Sequence, residues 1–538
     1  MKIIILLLIT VTSVFSQSYP DKYWVKLTDK NNNAYNITQP EDFLSQRAID
    51  RRNRYNIDIV ENDLPVSKVY IDSLEALGCK VLLTSKWLNA VTIGTTDTAF
   101  LDTIENLGFV EHIDRFTTQL KQTIKTKQGI QKIQDFYNYG TGYDQIHIHN
   151  GEVLHNNAYK GQGMLIAVLD AGFLNVDQIE GFSHLFNENR IIATRNIVLA
   201  TDDVYGYHTH GTMVLSTIAG YLPGEFVGTA PKASFVLIRT EDTNSEYLIE
   251  EDYWVSGIEY ADSIGADVVN SSLGYTTFDD PRQNHTYADL DGKTSRASIV
   301  ATIAASKGIA VVNSAGNEGA TPWKYIGVPA DADSILTIGA ISYMGAVVSF
   351  SSKGPSSDGR LKPNVVAVGL NSALIDAGGD VTTNSGTSFS SPITAGLVAC
   401  LWQAKPELSN IELFNIIEES ASHYNNPDTA YGYGIPDFCE ALLHIQELKG
   451  FSNDDEFIYT SANPIENEIS FTLYSARSQE ISIGLYDMLG RTISFENKNV
   501  YKYSENNYTI NNLQNTEQGI IILKVTTENK TFEMKLIK

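Results

Sequence analysis

Between residues 160 and 447 short apolar runs recur without polar alternation: MLIAVLD at 164–170, FVLIR at 235–239, ADVVNSS at 266–272, IAVVNSAG at 309–316 and ILTIGA at 335–340. Runs of this kind describe strands covered on both faces. Helix-length patterns lie between several of them, and that alternation specifies an α/β fold built on a doubly wound, mostly parallel sheet. Sheets of this class bind ligands outside the carboxyl ends of their strands. The search for chemistry therefore starts at the residues that follow each run.

Two different patterns flank this block. Residues 22–116 read as a small α+β unit: KYWVKLTD and NAVTIGTT alternate like strands, Pro40 opens a charged helical stretch, and further helices are expected at 67–77 and 99–107. Residues 117–143 are polar and rich in Thr, Gln, Lys and Tyr, the composition of a linker and of a cleavage region. Residues 456–538 alternate again (EISFTLYS, ISIGLYDM, GIIILKVTT), with turns at Asn463-Pro464 and Leu489-Gly490, the pattern of a small β-sandwich. The chain opens on Lys2 and an apolar stretch from Ile3 to Phe15, the length of a signal peptide and short for a bilayer span. Cleavage is expected after Ser16, and the protein outside the cytoplasm. No later run reaches membrane-spanning length.

Lys and Arg total 39 against 64 Asp and Glu, a net charge of −25. Residues 144–450 hold 15 basic and 36 acidic side chains, so 15 − 36 = −21 of that charge sits in the central block. This balance speaks against nucleic acid as a partner, because phosphate binding needs clustered Lys and Arg. Cys79, Cys400 and Cys439 are too few for a disulfide scaffold; Cys400 and Cys439 read as buried thiols or as one pair.

The carboxyl ends of the runs carry polar residues in a telling order. The first run ends in Asp170, a carboxylate that is expensive to bury unless something pairs with it. His210 opens the helical run HGTMVLSTIAG, with His208 as a competitor two residues earlier. The fourth run leads to Asn317, whose amide can face developing negative charge between Gly316 and Gly319. Ser388 lies where a loop becomes an apolar helix, a place that favours an oxyanion, and Pro392 is expected near that helix's start. Ser390 takes the position of the last glycine of GxSxG, so the nucleophile elbow of esterases on the α/β-hydrolase fold is not matched.

The order Asp170, His210, Asn317, Ser388, with VLDAGF, HGTMVLSTIAG, SSLG, SAGNEG and GTSFSSP in sequence, resembles the subtilisin-like serine proteases, the subtilases. The resemblance covers roughly residues 145–447. It implies Ser388 as nucleophile, His210 as general base and then acid, Asp170 as the orienting carboxylate, and Asn317 with the Ser388 N–H as oxyanion donors. It also implies that Ser272, Leu273 and Gly274 pair with substrate backbone, and that with Ser314, Ala315, Gly316 and Gly327-Val328-Pro329 they line the first specificity pocket. None of those residues is acidic, so a broad preference for apolar or bulky side chains is expected.

No cofactor is implied, and a structural calcium site has no clear motif. Asp289-Leu290-Asp291-Gly292 resembles half of a calcium loop but lacks the later bidentate Glu, and reads better as a solvated Asp-Gly turn. Ala171 stands where many subtilases carry Ser or Thr. By position and pattern residues 22–116 resemble a subtilase propeptide, an intramolecular inhibitor. ANPIENEISF, IGLYDMLGR and the GIIILKV…KLIK ending are similar to type IX secretion sorting domains. The expected plan is thus a signal peptide (1–16), a propeptide with processing linker (17–143), a catalytic domain (144–450), and a linker with a β-sandwich sorting domain (451–538). The partners expected are peptide or protein substrates, the chain's own propeptide and a secretion machinery. The competing reading is a catalytically inactive exported binding protein on the same fold.

Overall fold

The computed structural model describes residues 21–95, 100–117 and 137–445, and from 456 onward all but 461–467, 476–477, 488–489, 502–504, 512, 514–518 and 529. The expected signal peptide, the heart of the linker and the first residue of the helix expected at 99–107 lie outside the described residues.

The amino-terminal unit is a four-stranded antiparallel sheet. Strand Asp21–Leu27 lies between Ala90–Thr95 and Val110–Thr117, and Lys80–Ser85 flanks Ala90–Thr95. The stretch expected to be one helix from Pro40 is two pieces: a 3₁₀ turn at Pro40–Asp42 and a helix at Gln46–Arg54. Ser45 divides them, because its hydroxyl accepts the Ala48 N–H and caps a new helix start. The other two helices are Lys68–Ala76 and Leu101–Glu105.

The central block holds a seven-stranded parallel sheet. In spatial order its strands are Val365–Val368, Leu336–Ile341, Ala310–Ser314, Val268–Ser271, Leu165–Asp170, Ser234–Arg239 and Ile191–Asn196. The five apolar runs form its interior strands. The two outermost strands carry no such signal: Ile191–Asn196 is half exposed, and Val365–Val368 is only four residues long. Strand alternation divides the core. Ile166 and Val168 face a cluster with the helices His210–Ala219 and Thr387–Ala404; Leu165, Ala167 and Leu169 face the helices Ile249–Ile264 and Arg296–Ser306.

The amino-terminal sheet rests on the helix Ile249–Ile264. Glu259 of that helix accepts the Ser85 hydroxyl (2.6 Å) and the Lys86 (2.8 Å) and Trp87 (3.0 Å) N–H groups. Asp262, one turn on, receives Arg51, Arg52 and Lys86 in a wholly buried cluster. Burial opposes its ionisation, but Lys86, Arg52 and Arg51 together hold the carboxyl far below its usual range.

At the carboxyl end a three-stranded sheet (Glu456–Thr460, Ile469–Ser475, Glu505–Ile510) accompanies a four-stranded one (Thr492–Val500, Gln479–Asp487, Ile520–Thr526, Thr531–Ile537), both antiparallel. Alternate residues of the two, Phe471 and Leu473 with Ile483, Leu485, Leu523 and Val525, share one core, as a sandwich requires. Among the described residues no helix is long and apolar enough to cross a membrane.

Candidate active site

Asp170 and His210 meet where the sheet order turns. Asp170 ends its strand fully buried, with Oδ1 accepting its neighbour's Ala171 N–H at 2.7 Å. His210, the first residue of the helix His210–Ala219, places Nδ1 2.8 Å from Asp170 Oδ1 and 3.0 Å from Oδ2. A carboxylate can only accept, so Nδ1 carries the proton and Nε2 is left as the basic nitrogen. Burial disfavours a charged imidazole, but Asp170 outweighs it and raises the His210 pKa above its usual value. Gly211 makes the approach feasible: a Cβ there would stand 2.4 Å from Gly172 O and 3.0 Å from Asp170 Cβ. His208, the competitor, is not on the carboxylate; its Nδ1 accepts the His210 N–H at 3.2 Å.

Ser388 is the second residue of the helix Thr387–Ala404, buried at the floor of a cleft of about 290 Å³ that His210 and Asn317 also line. Its Oγ donates to Ser272 O at 3.4 Å, and no His210–Ser388 hydrogen bond forms among the described residues. The Ser388 N–H, in the first helical turn, has no acceptor within the helix. Pro392 is the sixth residue of the helix, deeper than its expected place near the start. Its missing N–H would have served Ser388 O; the Ser272 hydroxyl supplies that bond instead at 2.9 Å, and is itself held by Asn270 Nδ2 at 3.1 Å.

Asn317 is oriented by a residue the sequence reading did not single out. Its Oδ1 accepts both the N–H (2.9 Å) and the hydroxyl (3.1 Å) of Thr387. Those two donors fix Oδ1 as the acceptor and turn the NH2 group away from Thr387. Gly316 precedes it at φ 106°, and a Cβ there would meet Glu318 Oε2 at 2.5 Å.

Ser272, Leu273, Gly274, Ser314, Gly316 and Gly327 line the same cleft. Ala315 does not: with its neighbours facing the cleft, alternation turns its side chain into the core, where Val328 joins it. The residues expected in the first pocket carry no acid, but the cleft as a whole does. Glu241, Asp242, Glu246 and Glu318 also line it. The first three follow the strand Ser234–Arg239, and the carboxyl-edge rule applied to the EDTNSE segment would have found them.

In the half calcium loop the carboxylates are engaged within the turn. Asp289 accepts the Thr286 N–H (2.6 Å) and hydroxyl (2.8 Å), and Asp291 accepts the N–H groups of Lys293 and Thr294, both at 2.8 Å. All three cysteines are buried thiols.

The fold is that of a known class. The Subtilase family profile matches residues 161–434, the Peptidase S8 propeptide domain of Bacteroidota matches 22–133, and a secretion system C-terminal sorting domain matches 462–538. The chain belongs to the subtilase family. It is 28% identical over 284 residues to Subtilisin E of Bacillus subtilis (strain 168), a match covering 52% of this chain and 66% of that protein, just under two thirds of its length. It is 27% identical over 321 residues to the serine protease AprX of the same organism, covering 53% of this chain and 68% of AprX. The crystal structure of the epidermin leader peptide processing serine protease of Staphylococcus aureus shares the fold with a TM-score of 0.54 at 17% identity, over 79% of this chain and 98% of that one. The sorting domain marks the chain for export to the cell surface or the medium.

Proposed function

We propose that this chain is an exported serine endopeptidase that cleaves peptide bonds through an acyl-enzyme. The observation that carries the reading is the buried Asp170 carboxylate 2.8 Å from His210 Nδ1, in a cleft whose floor is Ser388. Ser388 Oγ attacks the scissile carbonyl, His210 Nε2 takes its proton and returns it to the leaving amine, and Asp170 holds the tautomer and the imidazolium that forms. The Asn317 NH2 and the Ser388 N–H face the oxyanion. Ser388 Oγ exchanges its contact with Ser272 O for His210 when substrate arrives, as hydrogen bonds of this kind tighten in the Michaelis complex. The scheme draws on no cofactor.

In this reading residues 1–16 are a signal peptide and 17–143 a propeptide with its processing linker, which inhibits the domain at 144–450 until cleaved. Residues 451–538 are handed to the secretion machinery. An active-site fluorophosphonate should label the matured protein and leave Ser388→Ala unlabelled. Loss of peptide hydrolysis in that variant is expected to be on the order of 10⁶-fold in kcat, the scale set by the relative subtilisin. An unlabelled wild type would favour the inactive binding protein.

A further inference from the structure

Among the described residues no lysine or arginine stands at ion-pair distance from the acidic rim of the cleft: Glu241, Asp242, Glu246, Glu250 and Asp279 form no ion pair with either. Glu241 Oε1 accepts the Tyr275 hydroxyl at 2.5 Å, and Glu250 Oε2 accepts the Asp242 N–H at 3.0 Å. The other oxygen of Glu250, which is 1% exposed, is buried against this cluster with no hydrogen-bond partner. Two cations, Arg239 and Lys22, act on this cluster through space but spend their hydrogen bonds on other groups. Arg239 donates to Ala171 O (3.1 Å) and Asn196 Oδ1 (3.2 Å), and Lys22 donates to the Tyr253 hydroxyl (3.3 Å). Lys22 also belongs to the amino-terminal unit that processing would remove.

Crowding of this kind is unfavourable in isolation: each carboxylate is partly desolvated and repels the next. Burial, then Glu246, pushes the Glu241 carboxyl well above its usual range; burial, then Asp279, pushes Glu246 up to about 7; and burial, then Glu241, raises Glu250. Asp170 also contributes to the raised value at Glu241. A cation entering from the cleft would offset the repulsion among these carboxylates.

Topology says where that cation lies on a substrate. The first pocket sits between the ends of the strands Val268–Ser271 and Ala310–Ser314, at Ser272–Gly274 and Ser314–Gly316. Glu241 and Glu246 follow Ser234–Arg239, on the opposite side of Ser272–Gly274. A peptide laid along Ser272–Gly274 would present residues preceding the one in the first pocket to this acidic side.

We propose that Glu241 and Glu246, backed by Glu250, form a subsite for a cationic group of the substrate, a Lys or Arg side chain on the amino-terminal side of the residue in the first pocket. The inference rests on the peptidase reading. It replaces a purely apolar preference with one set by charge upstream of the cleaved bond. The chain itself carries such a sequence: the linker read as the cleavage region holds Lys121, Lys125, Lys127 and Lys132, with no acidic residue between 118 and 134.

The test uses the matured wild-type protein and Glu241→Gln/Glu246→Gln, both first titrated with a fluorophosphonate. The probes are N-acetylated quenched peptides that differ only in carrying Lys, norleucine or Glu at positions two to four residues before the cleaved bond. For the wild type at low salt, kcat/KM for Lys over norleucine is expected to exceed about tenfold at one of these positions, with Glu disfavoured further. The ratio should fall severalfold in 1 M NaCl and approach one in the double variant. A free amino terminus on the norleucine peptides distinguishes the source: recovery of the rate by that amine alone assigns the cation to the peptide's own α-ammonium. If the double variant does not fold, the wild-type ratio and its salt dependence still decide. An enzyme that is labelled and cleaves every peptide equally overturns the subsite alone; a protein that is neither labelled nor active on any peptide overturns the peptidase reading with it.

Discussion

A methyl group separates a working Asp170–His210 contact from a steric clash. Gly211 and Gly172 let the helix start ride against the strand end, so the imidazole arrives already pinned to its carboxylate. This contact also sets a pH dependence. The neutral imidazole is the competent base, and Asp170 stabilises the protonated form, so the acidic limb of kcat/KM should have its midpoint above the ordinary histidine value of 6.5. Activity should rise as pH climbs through that midpoint. Asp170→Asn should move the limb to lower pH and reduce kcat by about 10⁴-fold, since an amide can hold the wrong tautomer. Rates on one peptide between pH 5 and 9 check both parts; an unshifted limb in Asp170→Asn would show that the carboxylate does not govern the base.

At the scale of elements, the helix Ile249–Ile264 serves two structures at once. One end of its wall bears on the strand that carries Asp170, and its outer face holds the amino-terminal sheet through Glu259 and Asp262. Asp262 is the only described anion that receives Arg51, Arg52 and Lys86 together, and Arg52 passes on to Asp63, which also receives Lys307. Removing one member of a buried ion network leaves uncompensated charge, at roughly 3–5 kcal/mol. Asp262→Asn, made in the Ser388→Ala background so that the chain stays intact, should therefore lower the thermal unfolding midpoint by several degrees. Because the folded carboxyl lies far below its usual pKa, the contribution is present above the unfolded value and is lost only as pH falls through the folded one. The destabilisation should accordingly be as large at pH 5 as at pH 7, and a difference confined to one of those pH values would refute the network's role.

For the whole molecule, chemistry and address are written in separate stretches of chain. The subtilase match ends at residue 434 and the sorting-domain match begins at 462. Among the described residues, the core of the carboxyl-terminal unit is drawn from residues 469–536 alone. A chain ending at residue 455, made in a host that possesses the matching secretion machinery, should accumulate inside the cell envelope while remaining reactive to fluorophosphonate. Immunoblots of medium and cell fractions measure this; equal export of both chains would show that the sorting signal lies elsewhere.

What the linear order determined is the part that depends on local chemistry. Unalternating apolar runs marked the strands buried on both faces, and the residues that follow them, Asp170 and Asn317, marked where to look for chemistry; His210 and Ser388 were read at the starts of two helices. Edge strands escaped notice because half-exposed or four-residue segments bury too little to leave a pattern. The folded chain alone decided what depends on neighbours remote in sequence: Thr387 turning the Asn317 amide, Ser272 answering the carbonyl that Pro392 leaves bare, and Ala315 rotated into the core. Hydrogen-bond direction and uncompensated charge are properties of a place in space, and a place exists only once segments 70 to 116 residues apart have been brought together.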